Sequence, residues 1–483
     1  MPLIKAERIE DIYRAFDAAP LMRHVDLNNF YVPELNETRG SDKIQILAKG
    51  LRRQHRGRSY KAFVMGHAGV GISTELSRLQ EKVTDQFRTL RISANTDLDP
   101  VNFKPFDIIL RIALGLAELT ADPLTQGGAG SPLPDALTRE LLDWFAVEKN
   151  TVHTNYDVAV EAKAGVGPSP TSLWQKLLGL NASLQLEAKR SSGRSRELIE
   201  YREKNVGQLV ELANKVLDDC NQRLRTATGH EWLVIGDDFD KPGIPEDSIS
   251  NVFLTYGNIL TDLHVHLILD LPIGLGHSSR SNQLPAFFDG PHNFPDTPVY
   301  QPDHTEHPAG RAALRQVIGH RMDPNLFDAG QQERVVVASG GNLRELFSLI
   351  VTASTNAEIR IDNEARPHAE PRLISARDVD AAINELRKEY RDHLGATAYD
   401  VAKTDLDTKL AKLSQIYLGS PKAKARDDAL YSLLHARAVQ EFNGQGWFGV
   451  HPLVVDFLSE ITELDALEPL RDATTGRLPG GSI

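Results

Sequence analysis

One passage constrains this chain more than any other: Gly66, His67, Ala68, Gly69, Val70, Gly71, Ile72, Ser73 and Thr74. A glycine, four residues, a second glycine, one residue and then a serine or threonine is the spacing of a phosphate-binding loop. The flanks supply the context that the motif requires. Residues 61–65 form a short apolar run that reads as a strand. Leu76, Leu79 and Val83 recur at helical spacing immediately afterwards, with Glu75 and Glu81 on other faces. Three glycines let successive backbone N–H groups turn inward on a pyrophosphate, and the following helix adds the partial positive charge of its N-terminus. Ser73 would offer its hydroxyl to Mg²⁺. A tight turn with a helix cap is the plainer alternative.

Position 72 departs from the motif. Lysine is called for there, a compact charge bridging the β- and γ-phosphates, and the chain has Ile72. An apolar β-branched side chain cannot replace that charge. Backbone amides and Mg²⁺ could still hold a diphosphate, whereas stabilisation of a transferring phosphoryl group should largely fail. Two explanations stay open, a substitution introduced to arrest an active enzyme and a naturally inactive homologue. The intact remainder of the motif favours the first.

A second element supports the loop. Residues 232–236 read as an apolar strand ending in Asp237 and Asp238, the Walker B arrangement. One carboxylate holds Mg²⁺ and the next polarises an attacking water, so the metal role falls to Ser73 and Asp237 and the catalytic-base role to Asp238. Asp240 is expected to cap the next turn. A further apolar strand, 265–269, carries Asp270 at its end, either as a sensor of the terminal phosphate or as a simple turn former.

Strand and helix signals alternate through the first half of the chain, which predicts an α/β fold with a parallel sheet flanked by helices. Residues 1–60 read as a lead-in containing a helix at 44–51 and a basic run of Arg52, Arg53, His55, Arg56 and Arg58. The core is expected over 61–310, with strands at 61–65, Phe87–Ser93, 231–236 and 265–269, helices at 105–119, 135–145 and 196–225, and a long loop or lid at 274–307. An insertion is expected at about 150–195: an alternating stretch from Val152 to Val160, a turn at 165–170, a helix at 173–180 and a second alternation at 183–188. A helical lid follows over 311–395, then a winged-helix-like unit over 396–470, with helices at 406–416 and 429–439, a turn at 442–446 and a strand at 447–455. Residues 471–483 read as a loose tail.

Composition narrows the function classes. Hydrophobic residues at 41% and charged residues at 25% are those of an ordinary globular chain. A formal charge of −12 argues against a protein that coats polyanions, although Lys422, Lys424 and Arg426 form a local basic cluster. The one cysteine, Cys220, excludes an intramolecular disulfide and a cysteine-based zinc site, and it reads as a small core filler in a reducing cytoplasmic setting. Neither a signal peptide near Met1 nor a membrane span is expected. His264 and His266 share a face of a strand without a third ligand, so strand surface is the better reading, and His304 and His307 lie uncommitted in the long loop.

These motifs together resemble the AAA+ and STAND-like branch of P-loop ATPases, specifically bacterial proteins whose loop continues as Ser73, Thr74, Glu75 and Leu76. The resemblance extends to Asp237, Asp238, Phe239, Asp240 and Lys241, to Ser339, Gly340, Gly341, Asn342, Leu343, Arg344 and Glu345, and to His451, Pro452 and Leu453, covering most of residues 40–460. It implies ATP and Mg²⁺ as cofactors and an arginine at the start of a lid helix, here Arg344, that reaches the terminal phosphate. The Gly340, Gly341 pair would let that helix approach closely. The resemblance also implies a molecular switch that assembles with copies of itself or with a protein effector, in a role such as bacterial antiviral defence. Arg280, Arg311, Arg315 and Arg321 are candidates for an arginine acting across a subunit boundary. The alternative is a pseudo-ATPase scaffold that binds protein or DNA through its C-terminal unit.

Overall fold

A computed structural model describes residues 3–53, 58–99, 103–121, 131–152, 173–188, 200–241, 244–286, 289–363, 373–395, 404–442 and 447–461. Five parallel strands form the central sheet: β1 (Lys61–Gly66), β2 (Phe87–Ser93), β3 (Glu231–Asp237), β4 (His266–Pro272) and β5 (Asp289–Phe294), in the order β2-β3-β4-β1-β5. Parallel neighbours need crossovers, and helices supply them on both faces. That is why β1 and β4 are apolar runs buried along their whole length.

The two faces have separate cores. On one, the helices Lys43–Arg52 and Ile72–Lys82 pack Leu47, Leu51, Leu76 and Leu79 against Val64, Leu233 and Ile268. On the other, Pro105–Ala121 and Val206–Thr228 pack Ile109, Leu116, Val216 and Cys220 against Trp232, Leu267 and Leu269. Cys220 is the core filler expected of it, and burial pushes its thiol up to about 11.

Because every strand runs the same way, their C-terminal ends share one edge of the sheet. Gly66 lies beside Pro272 and Phe294, and Ser93 beside Asp237. The chain leaves β1 for β2 across β3 and β4, so the crevice at that edge is where ligands of open α/β sheets sit. A third core joins the N-terminal short helices to the helices Pro308–Arg321, Gln331–Ala338, Leu343–Asp362 and Ala376–Leu394 and to the C-terminal unit. That unit runs Leu406–Tyr417, Asp428–His435, then an antiparallel hairpin of β6 (Val439–Phe442) and β7 (Trp447–Val450), then the helix Pro452–Ile461.

Several sequence expectations change. The stretch 274–307 is not one long loop, since it carries the short helix Ile273–His277 and the edge strand β5. Asp-Gly-Pro-His-Asn-Phe has no strand signature, and pairing with β1 imposes the conformation; Pro291 is tolerated because the strand is an edge. The alternation at 183–188 is helical, continuing Leu173–Ala188, and Val152 ends the helix Asp135–Val152. The strand expected over 447–455 stops at Val450, after which Pro452 opens a helix in its favoured first-turn position. The helix expected over 429–439 ends at His435. The expected alternation from Thr154 to Val160, the turns at 165–170 and 443–446, residues His55 and Arg56 and the tail lie outside the described residues. No helix among the described residues is long and apolar enough to cross a membrane.

Candidate functional site

The loop between β1 and the Ile72–Lys82 helix is held open by its backbone. Gly69 and Gly71 sit at φ of 97° and 103°, values that favour glycine. Gly71 is the N-cap of the helix, and no side chain caps the first amides. A helix N-terminus in that state is a ready anion site.

Each predicted residue has a definite place. Gly66 closes the end of β1, where an added Cβ would stand 2.5 Å from the Phe294 carbonyl oxygen. His67 is buried, its Nε2 accepts from the Glu441 backbone N–H at 3.3 Å, and burial holds its pKa below the usual range. The Ala68 carbonyl accepts from Asn342 Nδ2 at 3.2 Å. Val70 and Ile72 join the apolar core on the helix side of the sheet. Thr74 Oγ1 accepts from the Leu21 N–H at 3.1 Å, tying the N-terminal segment to the loop.

The loop faces a cleft lined on its far side by Pro20, Leu21, Phe30, Tyr31 and Val32, and elsewhere by Ser73, Asp237, Asp240, Lys241, Asp270 and Arg344. Apolar walls beside a polar cradle suit a ligand with a flat ring and a charged end. Residues 18–39 of the N-terminal segment are thus a wall of the site. Only the short helices His24–Phe30 and Glu34–Thr38 carry this wall, so no periodicity announced it.

The structure brings Asp237 and Ser73 together, with Ser73 Oγ donating to Asp237 Oδ1 at 3.1 Å. The sequence reading missed Arg91, whose Nη2 stands 2.5 Å from Asp237 Oδ2 and 2.9 Å from the Ser73 carbonyl oxygen. On β2 it reads as one more polar residue in a strand; its role follows from the β2–β3 register, which no local pattern encodes. The Asp238 N–H takes the remaining side of Asp237 Oδ1 at 2.9 Å. A divalent ion on this carboxylate would stand against the like charge of Arg91, which already balances it, so the expected Mg²⁺ does not fit the side chains as arranged.

Asp238 has φ of 68° and accepts from Ser93 Oγ at 2.6 Å, with Lys241 Nζ 3.3 Å from its other oxygen. Asp240 pairs with Asp270 instead of capping a turn, and burial pushes both carboxyls up, Asp270 well above its usual range. Two buried carboxyls placed side by side each disfavour the charge of the other, which is the physical cause of both shifts.

Arg344 lines the cleft from the first turn of the Leu343–Asp362 helix; burial lowers its pKa and the nearby Asp240 charge opposes that. The helix is seated by Asn342, its N-cap, which accepts from the Arg344 N–H at 3.1 Å and donates to Asp296 Oδ1 at 3.0 Å. The Gly340, Gly341 pair does allow close approach, since a Cβ on Gly341 would fall 1.7 Å from the Thr297 carbonyl oxygen. Beside Arg344, the buried Glu345 accepts from Tyr390 Oη at 2.6 Å and lies 3.0 Å from both Arg437 Nη1 and His451 Nε2.

Of the four other arginines, Arg321 lines the same cleft, donating to the Ala15 carbonyl at 2.6 Å and stacking 4.3 Å from the Phe347 ring centroid. Arg311 and Arg315 share Glu333, and Arg280 pairs with Glu246. His266 is buried, not on the strand surface: Nδ1 accepts from the Tyr60 N–H at 3.0 Å and Nε2 faces Glu231 at 2.8 Å. His264 pairs with Asp218, His307 caps the Pro308–Arg321 helix and His304 stacks on Tyr417. Lys422, Lys424 and Arg426 are exposed around one short turn. Among the described residues no group of three or more His, Cys, Asp or Glu is placed to hold a metal ion.

No protein-family model and no curated protein matches the chain. Among solved structures, a Walker-type ATPase of Pyrococcus abyssi is similar at 13% identity and a TM-score of 0.37, over 92% of this chain and 99% of that one. A likeness that distant carries no argument; sheet order, loop and crevice carry the P-loop fold assignment.

Proposed function

We propose that the chain is a nucleotide-dependent switch of the P-loop class. ATP is its expected ligand, with the phosphates on loop 66–74 and the base against Leu21, Phe30 and Tyr31. The observation that carries this reading is a buried polar network that seats both the Leu343–Asp362 helix and the C-terminal hairpin on the loop. Asn342 bonds Ala68, Arg344 bonds Gly69 through its N–H, His67 accepts from Glu441, and Gln440 donates to Asp296 at 3.0 Å. A phosphate arriving on the loop perturbs the groups on which both elements rest, which makes their position depend on the nucleotide.

The uncapped amides, Lys241 and Arg344 supply positive charge to the phosphates. Mg²⁺ has no assigned place on Ser73 and Asp237 in this reading. Ile72 removes the charge that would stabilise phosphoryl transfer, so turnover is slow and the bound state persists. Assembly with further copies or with a protein effector and a role in antiviral defence are carried only by the AAA+/STAND resemblance, and a cytoplasmic setting by the single cysteine.

A second reading, a non-hydrolysing scaffold that binds protein or DNA through its C-terminal unit, is favoured by the Arg91–Asp237 pair and by the exposed Lys422, Lys424 and Arg426. Titration with a fluorescent ATP analogue, with ATP and ADP as competitors, tests the switch. Saturable binding abolished by Gly69→Val supports it, and no binding leaves the scaffold.

A further inference from the structure

Asp237 is enclosed by groups from three elements. From β2, Arg91 Nη2 reaches its Oδ2 at 2.5 Å, and the same nitrogen donates to the Ser73 carbonyl at 2.9 Å. Arg91 Nη1 donates to Ser77 Oγ at 2.8 Å, and Ser77 in turn donates to the Ser73 carbonyl at 2.9 Å. From the phosphate-loop helix, Ser73 Oγ donates to Asp237 Oδ1, and the Asp238 N–H shares that oxygen. The guanidinium is fixed at both ends, by a carboxylate on β3 and by the first turns of the Ile72–Lys82 helix.

A carboxylate at the edge of a phosphate cradle repels the ligand unless a cation neutralises it, and a divalent ion is the common answer. Here a residue gives that answer. Arg91 presents a planar guanidinium fork that matches the oxygens it meets. A divalent ion on the same carboxylate would have to displace this guanidinium or stand beside it against like charge.

We propose that Arg91 is a resident cation that replaces the divalent ion at Asp237, so that this chain binds the phosphates of a nucleoside di- or triphosphate without a metal. The proposal rests on the nucleotide-binding reading above. Arg91 acts through Asp237 and Ser73, as a positioning residue.

The test is titration of the full chain with N-methylanthraniloyl-ADP and -ATP, in MgCl₂ and in excess EDTA. Wild-type affinity should agree within about threefold between the two conditions. Arg91→Gln should lose about tenfold or more in EDTA and recover it in MgCl₂, while Arg91→Lys, which keeps the charge and loses the fork, should fall between it and wild type in EDTA. Mn²⁺ titration of nucleotide-free protein, read by electron paramagnetic resonance, probes Asp237 directly. No Mn²⁺ should bind wild type at this carboxylate, and a site should emerge in Arg91→Gln. Wild-type affinity that collapses in EDTA overturns the proposal and leaves the nucleotide-binding reading intact. Mn²⁺ binding to wild type that Asp237→Asn removes overturns it as well. Failure of both nucleotides to bind in either condition overturns both readings.

Discussion

The backbone N–H of Arg344 donates to the carbonyl oxygen of Gly69 at 3.2 Å, so the first turn of the Leu343–Asp362 helix rests on the phosphate loop itself. In the proposed switch, sensing and closure are therefore not separate events. Any group that enters the loop meets the helix end at once, and the helix end in turn holds Glu345 against His451 of the C-terminal unit.

Gly69→Ala should disrupt this seat. The new Cβ would lie 2.5 Å from both Arg344 Cβ and Asn342 Oδ1, at a backbone φ of 97° that an L side chain resists. Arg344 Cβ is fixed to its backbone and Asn342 Oδ1 is pinned by the Arg344 and Glu345 N–H groups, so the helix has to move. We expect a stability loss of about 2 kcal/mol or more in urea unfolding, with nucleotide affinity falling in parallel. Unchanged unfolding would show that the contact is not maintained in solution.

Asn342→Ala removes a cap and two donors at once. Asn342 accepts from the Arg344 and Glu345 N–H groups and donates to Ala68 and Asp296. Cap loss alone costs about 1 kcal/mol, and leaving buried acceptors unpaired adds about 1–2 kcal/mol. Asn342→Asp, which keeps the cap but faces Asp296 with a second charge, should be worse than Asn342→Ser. The opposite order would dissociate the cap from the Asp296 contact.

Stability should depend on pH from both sides. Asp270 is held well above its unfolded value by burial beside Asp240, so the native state binds the extra proton; stability is full at low pH and falls as pH rises above about 4 toward the raised value. His435 is lowered by burial to about 4, so its contribution is full above the unfolded value of 6.5 and is lost as pH falls toward 4. Urea midpoints measured across this range should flatten on the alkaline side in Asp270→Asn and on the acid side in His435→Leu. A slope unchanged by Asp270→Asn would show that the Asp270 carboxyl is not the source of this dependence.

How much of this was legible in the residues follows from where each signal resides. The loop, the Asp237 strand end and the helix that begins after Asn342 are local patterns, and all three converge on one crevice because parallel strands put their C-termini on one edge. Arg91 and Ser93 are invisible in the same way that β5 is, since their meaning comes from register and pairing between strands distant in sequence. Glu345, Tyr390 and His451 lie far apart along the chain, and only tertiary packing joins them. Asp240 was misread because a polar residue after a strand is usually a cap, whereas here Asp270 at the next strand's end gives it a buried partner.

Ile72→Lys tests how far one missing cation limits the site. Ile72 is 6% exposed, packed with Val64, Val70 and Leu76, yet it also lines the cleft. A lysine stem can keep the apolar contacts while its ammonium reaches the cleft, so the fold should survive at a cost of about 1–2 kcal/mol. The new charge faces the site of the terminal phosphates, so ATP affinity should rise more than ADP affinity. Turnover should rise by about tenfold or more, as a charge that is worth most at the transferring phosphoryl lowers the barrier there. Adding Arg91→Gln frees Asp237, and the double variant in MgCl₂ should exceed either single one. Equal ATP hydrolysis rates in wild type and Ile72→Lys, with both folded and both binding ATP, would show that position 72 does not limit this chain.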